Sequence, residues 1–222
     1  MKRRLSTQRT RGLTLVEVLV SIVVVAIAAA VFIPYLARPR VIGCGLSCAS
    51  NLKIVGLGLR MWSNDQGDKF PWCVSTNQGG TMEFVNSGQV FRHYLAISNE
   101  LSIPKMLACS KDGQRTRAAT WDQLTNDTQH ISYFVGLDAD EAKPRSILSG
   151  DRNLTTNGRP TAGTITLTRA ITTGWTGSIH TNAGNIGFGD GSAQEFSSKE
   201  LPTQFKAALT NLEKDSLRVV IP

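Results

Sequence analysis

From Leu13 to Ile33 the chain is apolar with no repeat, and its 21 residues include only Thr14, Glu17 and Ser21 as polar members. As a helix this run is about 31 Å long, the depth of a bilayer hydrocarbon core. Further on the pattern becomes periodic. Leu52, Val55, Leu59 and Trp62 recur at spacings of three and four and predict an amphipathic helix through "CASNLKIVGLGLRMWSND", ended by "NDQGDKFPW". Gly56 and Gly58 weaken that helix by roughly 1 kcal/mol each, so packing must hold it. Between the two helices, "RPRVIGCG" carries Pro39, Gly43 and Gly45 and predicts a flexible joint. Beyond them "VFRHYLAISNEL" predicts a short helix, and "PKMLAC", "ISYFVGL", "RSILSGD" and "TITLT" predict strands from their β-branched and aromatic content. "NIGFGDGSAQEF" predicts a hairpin turning at Asp190-Gly191, with Ile186, Phe188, Ala193 and Phe196 on its buried face. "SKELPTQFKAALTNL" predicts a last helix and "LRVVIP" a final strand. The expected fold class is α+β, a long N-terminal helix packed on a small antiparallel sheet. The expected divisions are a leader (1–12), an apolar helix (13–37), a joint (38–45) and a head (46–222).

Composition is that of a folded protein, with 41% hydrophobic and 18% charged residues. The net charge of +7 suggests a nucleic-acid or membrane surface until its distribution is read. Lys2, Arg3, Arg4, Arg9 and Arg11 fall in the first twelve residues, and beyond Arg40 there are 17 Lys/Arg against 16 Asp/Glu. The basic character belongs to the leader. Lys111, Arg115 and Arg117 read as a solvated loop, and no nucleic-acid partner is expected. A basic leader before an apolar helix keeps the N-terminus cytoplasmic and sends the head across the membrane. A secretory signal peptide would have a shorter apolar core and no glutamate within it. An ordinary uncleaved anchor leaves Glu17 without a purpose, since a charged carboxylate in a membrane helix costs roughly 2.5 to 3.5 kcal/mol.

The run Gly12-Leu13-Thr14-Leu15-Val16-Glu17-Val18-Leu19 resembles the processing site of type IV prepilins and type II secretion pseudopilins. The resemblance implies that a prepilin peptidase cuts after Gly12 and methylates the new amine on Leu13, where the family usually has phenylalanine. It implies that Glu17 is an assembly residue. The new positive amine lies four residues away, a neighbour on the same helix and a countercharge between staggered helices. Pro34 is then either the kink of a spine helix or its end at the membrane surface. "NLKIVGLGLRMWSNDQGDKFPW" is similar to the opening of pseudopilin-like heads. The implied protein is a non-enzymatic subunit of a pseudopilus or type IV pilus-like filament, with a pilin-like fold. Its implied partners are prepilin peptidase, other pilin or pseudopilin subunits and an inner-membrane assembly platform. The implied location is a bacterial inner membrane, single-pass with a periplasmic head, and then a filament. The alternative is a membrane-tethered periplasmic binding domain that does not polymerise.

Candidate chemistry is sparse. His180 and Asp190-Gly191 form a His-x9-Asp-Gly arrangement that resembles a C-terminal signature of many prepilin-processed proteins and implies no known catalysis. A histidine hydrogen-bonding across a turn is one reading, a metal ligand another. Asp138, Asp140 and Glu141 are a weak Ca2+ candidate, lacking the glycine and terminal glutamate of an EF-hand. No other cofactor is expected. There is no Gly-x-Ser-x-Gly, His-Glu-x-x-His or phosphate-binding glycine loop, and His93, His130 and His180 are scattered enough to be surface residues. Cys44, Cys48, Cys73 and Cys109 permit two disulfides in an oxidising compartment, with three pairings. Related chains often carry Cys-Pro-Ser-Asp where this one has "CSKD", and that likeness points to Cys48–Cys109.

Overall fold

The structure is a computed structural model that describes residues 15–36 and 43–222. It divides at Val41 into two units. In the first, α1 (Leu15–Leu36) continues past Pro34, so the helix does not end at that proline. Its large side chains from Leu15 to Ile27 are 44 to 77% exposed, as expected of a helix that is apolar on every side and has no core of its own to enter. Side chains of α1 are described as far as Ala28, and among the described residues no helix is both long and apolar enough to cross a membrane.

The second unit is built around α2 (Gly43–Asp65), α3 (Val90–Leu95), α4 (Leu201–Leu212) and nine strands. Six strands form one sheet in the order β5 (Gly163–Thr168), β9 (Ser216–Ile221), β1 (Tyr133–Gly136), β2 (Ile147–Asp151), β7 (Ala183–Phe188) and β8 (Ala193–Ser197). Every pairing in it is antiparallel. A smaller sheet joins β4 (Arg159–Pro160), β3 (Leu154–Thr156) and β6 (Thr173–Trp175).

Alternation along the strands divides the interior in two. On β1, Tyr133 and Val135 join the cluster that receives Cys48, Leu52, Val55, Leu59 and Trp62 of α2. Phe134, between them, points to the other cluster, with Phe188, Phe196 and the α4 residues Leu201, Phe205 and Leu209. Successive strand side chains face opposite ways, so one short strand serves both cores. α2 packs along β7, β8 and β2. The head therefore has helices on both faces of its sheet, where the sequence predicts one.

Other differences have local causes. "PKMLAC" is a 3-10 turn (Pro104–Leu107), because Pro104 has no N–H to give a ladder and starts the turn instead. It is still tied to the core by Ser132 N donating to Leu107 O at 2.8 Å. α2 begins at Gly43, so the last residues assigned to the joint are helical, while 37–42 lie outside the described residues. "LRVVIP" is an interior strand between β5 and β1. The β3–β4 hairpin turns on Asn157-Gly158, both at positive φ (50° and 75°), a recognisable turn signal that the strand reading passed over.

Candidate functional site

The His-x9-Asp-Gly stretch brackets β7, and its two ends meet α2 at different places. At the first end, Thr181 and Asn182 hold positive φ (53° and 64°) and swing the chain from His180 into the strand. Asparagine tolerates that region, but a β-branched threonine there is strained. The turn sends the His180 side chain inward, where it is 5% exposed. Its Nε2 lies 3.4 Å from Asp151 Oδ2, 3.3 Å from Asn185 Nδ2 and 3.4 Å from Cys109 Sγ. Cys109 is bonded to Cys48 of α2, with Cα atoms 5.4 Å apart. One end of β7 is thus fastened to α2 through a histidine and a disulfide.

Asp151 is fully buried, and its Oδ2 accepts from Asn185 N at 2.6 Å and Asn185 Nδ2 at 2.9 Å. Burial pushes its carboxyl up to about 6, against the lowering effect of His180 and the Asn185 donors. Arg152, the next residue, gives Asp151 no help. Its guanidinium turns to Asp112, with Nε and Nη2 donating at 2.6 and 2.8 Å, while Ser132 Oγ adds a third bond at 2.9 Å. Burial pushes Asp112 up too, but the Arg152 and Ser132 bonds outweigh it and leave that carboxyl below its usual range. Two neighbouring acids therefore have opposite environments. In the Nε2–H tautomer His180 donates to Asp151; in the Nδ1–H tautomer Nε2 accepts from Asn185 and turns its lone pair inward.

At the other end Asp190-Gly191 makes the β7–β8 turn. Asp190 Oδ1 accepts from Ser192 N at 2.8 Å, and Gly191 sits at φ 81°. Arg60 of α2 donates to Asp190 O at 2.6 Å and pairs with Glu141 at 3.3 Å. The Gly56 position faces Gly191 so closely that an added Cβ would lie 3.4 Å from its Cα. The helix-weakening glycine is where the turn rests. Cys48 and Arg60 are separated by about 18 Å of helix, and the six residues of β7 extend about 17 Å, so strand and helix run together between two fastenings. His180 and Asp190 stand at opposite ends of β7 and are not brought together.

The acidic cluster does not converge on a Ca2+ position. Asp138 accepts from Arg218 and Lys214, both at 3.0 Å, Glu141 pairs with Arg60, and Asp140 Oδ1 caps the N–H of Ala142 at 2.9 Å. Each carboxylate is answered by a cation or a backbone donor on its own side. His93, whose place in the sequence is compatible with a surface position, is fully buried, with Nδ1 at 2.7 Å from Thr81 Oγ1 and burial lowering its pKa to about 4. His180 is also interior, while His130 meets Thr116 O at 2.9 Å. Cys73 is a free, exposed thiol. Asp112, Arg152 and Asn185 escaped the sequence reading. Asn185 alone had a visible cue, its place inside the His-x9-Asp-Gly span.

Gly12 and Leu13 lie outside the described residues; Glu17 is in the first turn of α1. The family model of the prokaryotic N-terminal methylation motif matches residues 7–33, which include all three. No curated protein and no solved structure matches the chain. The match supports a prepilin-type protein, a substrate of prepilin peptidase with pilin-type assembly.

Proposed function

We propose that this chain is a non-enzymatic subunit of a pseudopilus or type IV pilus-like filament, made as a prepilin and anchored by α1 until it is assembled. The observation that carries the reading is the methylation motif over residues 7–33, with Gly12, Leu13 and Glu17 leading into a helix apolar on all sides. Cleavage after Gly12 creates an amine on Leu13 that answers the Glu17 carboxylate within or between helices, and this pairing in an apolar bundle favours ordered association. Methylation leaves that amine cationic. α1 spans the inner membrane once, with the head on the periplasmic side. In the filament α1 helices form the core and heads the outer surface, driven by an inner-membrane platform in a secretion-like export machine. The His-x9-Asp-Gly arrangement then marks a head whose β7 is fastened to the helix leading to that core.

Intact mass and N-terminal sequencing of membrane-extracted protein, produced with its own prepilin peptidase, test this reading. The expected chain starts at Leu13 and carries one added methyl group. An uncut Met1, or a cut well past Ile33, overturns it.

A further inference from the structure

The interior end of β7 gathers donors that a static disulfide does not require. Cys48 Sγ, Cys109 Sγ and a nitrogen of His180 all lie within 4.8 Å of one another. Asp151 Oδ2 approaches the same imidazole nitrogen at 3.4 Å. Among the described residues Asp151 Oδ1 finds no hydrogen-bond partner, although the residue is fully buried. A buried acceptor left in that state is unfavourable unless something answers it. Two sulfurs and one imidazole nitrogen are zinc-type donors, and the Asp151 carboxylate beside that nitrogen can supply a fourth.

We infer that the dithiol form of the head binds one divalent zinc-type ion through Cys48, Cys109, His180 and Asp151, and that disulfide formation excludes it. The step balances. A dithiol reductant delivers two electrons and two protons to the Cys48–Cys109 bond and leaves as its own cyclic disulfide. The ion then displaces both thiol protons to solvent and takes the lone pair that His180 Nε2 carries in the Nδ1–H tautomer, replacing the Asn185 Nδ2 donor there. Asn185, donating to Asp151 through both its N–H groups, orients the carboxylate as an outer-shell partner does. Bound there, the ion joins α2 to the start of β7 and to β2, the same elements that the disulfide and its histidine hold. The head therefore keeps its helix fastened in either redox state, by a covalent bond in one and a metal in the other.

The test uses the full chain in detergent with Cys44→Ser and Cys73→Ser, which leaves Cys48 and Cys109 as its only thiols. After anaerobic reduction and removal of the reductant, Co2+ is titrated as the spectroscopic probe and Zn2+ is counted by elemental analysis. The expected result is one ion per reduced chain, with a thiolate-to-cobalt charge-transfer band, and none per oxidised chain. His180→Ala and Asp151→Asn should each weaken binding by at least about tenfold. Zn2+ should also raise the melting temperature of the reduced chain, followed by near-UV circular dichroism. The inference is overturned if the reduced chain takes up no more metal than a Cys48→Ser control, or if His180→Ala binds undiminished. It is equally overturned if reduction erases the near-UV signal and Zn2+ does not restore it. None of these outcomes depends on whether the chain enters a filament.

Discussion

α1 and α2 have 22 and 23 residues, nearly the same length, yet they obtain their stability from different sources. α1 is apolar on every side, and the large side chains it presents from Leu15 to Ile27 stay exposed. α2 carries one stripe, Leu52, Val55, Leu59 and Trp62, and buries all of it within its own unit. One helix finishes its packing inside its own unit, while the apolar side chains of the other, from Leu15 to Ile27, remain open to whatever surrounds them. Substitutions in the two should accordingly separate assembly from folding.

The largest separation is expected at Glu17. Glu17→Ala should reduce filament yield at least tenfold, measured by sedimentation of sheared material, while the melting of the head is unchanged. Normal assembly of this variant would sink the filament reading, and unimpaired activity without filaments would favour a tethered binding domain. Next is the disulfide, which closes a separation of 61 residues. Reducing it with a chelator present should cost the head roughly 2 to 5 kcal/mol in denaturant unfolding. Leu59→Ala in α2 should cost about 2 to 5 kcal/mol in the same assay, whereas Leu19→Ala in α1 should change it by less than about 0.5 kcal/mol.

Acid provides a further test within the head. His93 is buried neutral with its pKa lowered to about 4, so the unfolded chain takes up the proton first as pH falls below the ordinary histidine value. Stability from this group is complete above about pH 6.5 and is lost progressively toward pH 4, of order 3 kcal/mol in all; His93→Gln should remove that slope. Asp151 has the opposite sign. Its raised carboxyl makes the folded chain the better proton binder between about pH 4 and 6, so stability falls as pH rises through that window. Asp151→Asn should therefore steepen the acid loss seen in equilibrium unfolding. The smallest effect is expected from Arg60→Ala, about 1 kcal/mol, since its pairing with Glu141 is partly solvated and mainly the bond to Asp190 O is lost.

Much of this architecture was legible because local pattern and final environment agree. The α2 stripe, the β7–β8 hairpin with its buried face and the helix at 201–212 each show in the sequence as period, turn chemistry or both. What could not be read was set by contacts distant along the chain. "PKMLAC" has the composition of a strand, but Pro104 and a single backbone bond to Ser132 decide otherwise. Gly56 looked like a weakness until Gly191, far along the chain, came to rest on it. The candidate site was only half visible. His180 stood out by spacing, while Asp151 gains its meaning from Asn185, Cys109 and the neighbouring Arg152 that turns away from it. A buried carboxylate carries no local mark distinguishing it from a solvated one.

The place of β9 bears on how the molecule is made. This strand comes late in the chain, yet it is paired on both sides, with β5 and with β1. Until it emerges, those two strands have no ladder between them, and each presents a bare edge that invites pairing with another chain. Closure of the sheet is then a non-local event, slow beside the formation of α2 or the β7–β8 hairpin. During vectorial synthesis the inner edge of β1 stays bare until residues 216–221 arrive, and that interval is when the head is most open to wrong pairing.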